Sequence, residues 1–83
     1  MRISYRGSNK NEFGLGDNIR AAMIDGTKKE ENKMDALYNI LKEKGYNPGY
    51  EGDTEGLVIE IDVHDREEYE EFKSVYKELK KIL

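Results

Sequence analysis

Leu57-Val58-Ile59-Glu60-Ile61-Asp62-Val63 decides the fold, because apolar and acidic residues alternate along it with the period of a half-buried strand. Leu57, Ile59, Ile61 and Val63 fall on the face that turns to a core, and Glu60 and Asp62 on the face that turns to water. Directly afterwards the period changes from two to 3.6. Asp65 is placed to cap a helix, Glu68 stands three residues on in the second capping position, and Tyr69, Phe72, Val75, Tyr76, Leu79, Ile82 and Leu83 recur at helical spacing. The charges of that helix run from glutamate to lysine, as its macrodipole favours. A strand with one apolar face followed by an amphipathic helix predicts an α+β domain in which helices cover one side of a small sheet.

Upstream, Thr27-Lys28-Lys29-Glu30 fits a capping box and opens a second helix with Met34, Leu37, Tyr38 and Leu41 on one stripe. Lys42, Lys44 and Gly45 supply its C-terminal signals. Asn47-Pro48-Gly49 suits a type II turn, and a short strand around Tyr46 to Glu51 would be confined by Pro48 to a sheet edge. Gly52-Asp53-Thr54-Glu55-Gly56 reads as a hairpin turn, with too few oxygen ligands for a calcium loop. At the start, Arg2-Ile3-Ser4-Tyr5-Arg6 alternates as a strand with Ile3 and Tyr5 inward. Gly7 to Gly16 shows no periodicity and is expected to be a mobile loop. A short helix is expected from Asp17 or Asn18 through Ile19, Ala22 and Met23 to Gly26. The predicted order is β-α-α-β-β-α over a single domain of residues 1–83. Its sheet has two or three strands, with the first and last side by side so that Arg2 and Arg6 face Glu60 and Asp62.

With 36% hydrophobic and 39% charged residues the core is thin, and the chain has no cysteine with which a disulfide or thiolate-bound metal could reinforce it. No stretch approaches the roughly 20 apolar residues of a membrane span, and the N-terminus reads as a strand rather than a signal peptide, so a cytoplasmic location is expected.

The net charge of -4 conceals two poles. Residues 1–29 carry six cations against three anions, whereas residues 51–83 carry eleven acids against five bases. Most of that acid lies between Glu51 and Glu71, where ten carboxylates are answered only by Arg66. A field of that sign attracts basic proteins and repels polyanions.

Chemical motifs are weak by comparison. Asp62, His64 and Asp65 offer an imidazole and carboxylates, but alternation turns Asp65 away into the helix cap, which leaves too few converging ligands for a metal. Gly14-Leu15-Gly16 matches part of a dinucleotide-binding loop, yet Ile19 stands where the third glycine belongs and Asp17 would compete with phosphate. No serine or threonine has a nucleophile motif around it. Direct nucleic-acid binding through Arg6, Lys10 and Phe13 is opposed by the acid elsewhere. The sequence therefore predicts no cofactor and a non-enzymatic interaction domain. Its acidic face comprises Glu51, Asp53, Glu55, Glu67, Glu68, Glu70 and Glu71, flanked by Tyr46 and Tyr50, and would bind a basic protein, for example as an inhibitor or regulator of a nucleic-acid-handling protein. The alternatives are a homo-oligomer joined by opposite charge poles and a small-ligand or metal binder near His64.

Overall fold

The computed structural model describes residues 1–7 and 20–83. The expected loop through Phe13 and Leu15, its glycine motif and the helix cap at Asp17 or Asn18 fall on residues 8–19, outside the described residues. Strands β1 (Arg2–Gly7) and β2 (Arg20–Gly26) come first, then helix α1 (Glu31–Glu43), strands β3 (Gly49–Gly52) and β4 (Leu57–Asp62), and helix α2 (Arg66–Ile82). The four strands form one antiparallel sheet in the order β1-β2-β4-β3. The architecture is α+β as expected, with a larger sheet and the order β-β-α-β-β-α.

The expected helix ending at Gly26 is instead strand β2. Ala22 and Met23 share a helical stripe on paper, but the segment pairs with an apolar strand on one side and with β1 on the other, so sheet hydrogen bonding overrides the helix propensity of its alanines. Ala22 and Ile24 turn to the core, while Met23 is half-buried on the opposite face. β2 also separates the strands expected to be neighbours: Arg2 lies opposite Asp25, and Glu60 opposite Met23.

Both helices pack on one face, α2 against β1 and β2 and α1 against β4. The described elements share a single apolar cluster containing Ile24, Met34, Leu37, Leu41, Ile59 and Phe72. Leu57, Ile61, Val63, Tyr69, Tyr76 and Leu79 are also buried as expected; Tyr38, Val75 and Leu83 are only half-buried, and Ile82 of the α2 stripe is 73% exposed at the end of the helix. β3 is an edge strand, in keeping with Pro48 just before it. The type II turn does not form, because Gly49 lacks the positive φ such a turn requires and opens the strand instead.

The two ends of α1 show how local chemistry fixes the chain. At its C-terminus Gly45 adopts φ +97°, the Gly45 N–H donates to Lys42 O and the Tyr46 N–H to Leu41 O. These bonds make a Schellman motif, which sets the direction in which Tyr46 leaves the helix. At the N-terminus the capping box closes on a single 3-10 turn over Lys28–Glu30 before the α-helix begins. The Glu30 carboxylate accepts from the Thr27 N–H at 3.0 Å and lies 2.6 Å from the Met1 ammonium.

These donors, the ammonium foremost and then the Thr27 N–H, hold the Glu30 carboxyl at about 2, below its ordinary 4.5. A depressed folded-state pKa adds stability above the unfolded value and loses it as pH falls through the folded one. The melting temperature of Glu30→Gln should therefore trail wild type at neutral pH, with the gap closing as pH falls from about 4.5 towards 2. A gap that is constant across that window would show that the carboxylate charge does not contribute.

Candidate functional site

The acidic tract is continuous in sequence but not in space. Glu51, Asp53 and Glu55 sit at the β3–β4 turn, at the N-terminal end of β4. Glu67, Glu68, Glu70 and Glu71 sit in the first turns of α2, beyond its C-terminal end. Six residues of strand separate the groups by roughly 20 Å.

At the turn, Asp53 is occupied structurally. Its Oδ1 accepts from the Glu55 N–H at 2.7 Å and the Gly56 N–H at 2.9 Å, and these bonds hold its carboxyl below the usual range. Glu51 and Glu55 are exposed. Together with Asp25, the three acids rim a shallow groove of about 450 Å³ whose floor includes Met23 and Val58.

At the α2 end the Asp65 side chain accepts from the Glu68 N–H at 2.8 Å, the expected cap. Helical spacing then sorts the glutamates. Glu70 pairs with Arg66 at 3.3 Å, and the Arg66 guanidinium lies over the rings of Tyr5 and Tyr69, at 4.9 and 5.3 Å from their centroids. The lone cation of the tract is thus drawn to the β1 side of the helix. Glu67, Glu68 and Glu71 occupy the other side and join no ion pair among the described residues. With Asp65 they rim a second groove, of about 420 Å³, walled by Tyr46, Ile61, Val63 and Phe72.

The two flanking tyrosines part company. Tyr46, aimed by the Schellman motif, stands edge-on to Phe72 with ring centroids 5.3 Å apart and forms part of that wall. Tyr50 belongs to the packing against α1: its ring lies 5.3 Å from that of Tyr38, and its hydroxyl donates to Asp35 Oδ1 at 2.8 Å. Burial, followed by the Asp35 carboxylate, pushes the Tyr50 phenol up to about 12. Tyr50 is therefore committed within the fold.

Asp65, in the sequence a helix cap and a neighbour of Asp62 and His64, lines the α2 groove, as do Ile61, Val63 and Phe72, which are expected only in the core. Their place beside the glutamates could have been inferred from the strand-to-helix junction. Asp25 and Met23 were missed as surface residues because their segment was assigned to a helix. His64 is exposed, and its carbonyl accepts from Arg20 Nη1 at 3.1 Å. Among the described residues no three histidine, aspartate or glutamate side chains are grouped so as to hold a metal ion. No described helix is long and apolar enough to cross a membrane. No family model, curated protein or solved structure matches the chain.

Proposed function

We propose that this is a non-enzymatic, cytoplasmic protein-binding domain, and that the groove at the start of α2 receives a lysine or arginine side chain of a basic partner. One observation carries the proposal: Tyr46, with the edges of the otherwise buried Phe72, Ile61 and Val63, lies directly beside the carboxylates of Asp65, Glu67, Glu68 and Glu71, and no cation among the described residues lines the space. A long basic side chain has the matching build, an apolar stem and a charged head. Tyr46 adds an aromatic ring that a guanidinium can lie against. The positive end of the α2 dipole opposes a cation there, but its strength is about half a charge, against three glutamates that join no ion pair among the described residues. The net attraction survives.

Strand addition is a poorer binding mode for this sheet. β3 is four residues long and follows Pro48, and β1 carries Arg2 and Arg6 along the other edge. A partner that normally grips phosphate presents basic side chains of the required kind, so occupying its phosphate groove would make this domain an inhibitor or regulator of a nucleic-acid-handling protein.

Titrating isotope-labelled protein with an arginine-rich peptide tests the site. The largest amide shift changes should map to Tyr46, Val63, Glu67, Glu68 and Glu71, and they should shrink as salt is raised. Changes centred on Asp53 and Glu55, or spread evenly over every acidic position, would contradict it.

A further inference from the structure

The sheet face opposite the helices has a charge pattern that fits a copy of itself. The strand register lays its side chains out in three rows: Arg2, Asp25, Val58 and Glu51 in the first, Ser4, Met23, Glu60 and Gly49 in the second, and Arg6, Ala21 and Asp62 in the third. Cation lies on β1, Ala21, Met23 and the acid Asp25 on β2, Val58 on β4, and further acid on β4 and β3. Arg2, Arg6, Asp25, Glu51 and Asp62 are exposed, Ser4, Met23, Val58 and Glu60 are half-buried, and Ala21 is fully buried between its neighbours in the third row. Among the described residues neither helix lies on this face.

We propose that two copies of this chain associate through these faces about a two-fold axis running along β2. That operation keeps each row and reflects the strand order about β2, so β1 of one copy meets β4 of the other. Arg6 then faces Asp62, Ser4 faces Glu60, and Arg2 enters the groove over Val58 between Asp25 and Glu51. Met23 meets Met23 at the centre. The interface has an apolar middle and a charged rim, the usual anatomy of protein contacts. The two Asp25 carboxylates approach each other, and an Arg2 from each copy flanks them.

The other face-to-face two-fold, with its axis across the strands, is disfavoured by the same rows. It would set Arg2 of one copy against Arg6 of the next and Glu60 against Glu60. Sheets packed face to face sit about 10 Å apart and rotated by about 30°, so register is tightest at Met23 and long arginines bridge the flanks. Three rows across the three strands that overlap make a small interface, and association is expected to be weak and concentration-dependent. The α2 groove lies outside these three rows, so this contact and the partner site are independent.

Sedimentation equilibrium from about 10 µM to about 1 mM should show mass rising from monomer towards dimer. Arg6→Asp should weaken the association on the order of tenfold, and adding Asp62→Arg should restore it. The chain has no cysteine, so Met23→Cys gives a single thiol on the axis and should oxidise to a disulfide dimer faster than an Asp53→Cys control. A monomer at every concentration would overturn the proposal. So would a dimer in which Arg6→Asp has no effect or Asp62→Arg fails to rescue it, or a Met23→Cys protein that cross-links no faster than the control.

Discussion

Ile59→Ala should destabilise the domain by about 2–5 kcal/mol, measured as a lower urea midpoint with an unchanged slope. Ile59 is completely buried on β4, a strand paired on both sides, and its side chain joins the cluster beneath the helices. Removing three of its carbons leaves a cavity that the neighbouring strands cannot close. At 0.05–0.15 kcal/mol per residue the whole domain holds about 4–12 kcal/mol, so the variant forfeits a large part of its stability. Val58→Ala, one residue away and half-buried on the opposite face, supplies the contrast and should cost well under half as much. Equal losses at the two positions would mean that the faces of β4 have been assigned the wrong way round.

β4, α2 and the α1 stripe were legible in the sequence because each is specified locally, by alternation, by caps and by apolar spacing within one element. Thr27, Asp65 and Gly45 act within a few residues of themselves as their types and positions imply, and Glu30 bonds the Thr27 N–H as expected while also reaching the distant Met1 ammonium. β2 was not legible. Ala21-Ala22 favours a helix when considered alone, and the apolar strand that claims it lies more than thirty residues downstream. Pairing across that distance leaves no local periodic signature. The same limit hid the fate of Tyr50, whose hydroxyl partner Asp35 sits on a different element. The candidate site was legible in its ingredients but not in its grouping: ten carboxylates form one sequence tract, and a strand running through the tract carries them to opposite ends of the fold.

Of those two groups, the one at α2 is the proposed binding site, and charge reversal is its sharpest test. Glu67, Glu68, Glu70 and Glu71 are all exposed, so replacing the four with lysine should leave the fold standing. Two small costs are expected. Glu70→Lys loses the Arg66 pair, worth a few tenths of a kcal/mol on a helix surface, and lysines in the first turn oppose the dipole. The Asp65 cap is preserved, because it uses the backbone N–H at position 68. Glu68→Gln serves as a single-site control that removes one rim charge and keeps that bond.

The deciding measurement is the affinity of the wild-type and four-lysine proteins for the same arginine-rich peptide, at two salt concentrations, with thermal melts confirming that both are folded. The reversed protein should bind at least about tenfold more weakly and lose the salt dependence of the wild type. A folded four-lysine protein that binds with unchanged affinity and unchanged salt dependence would contradict the account, leaving the acid at α2 a solvated surface with no part in recognition.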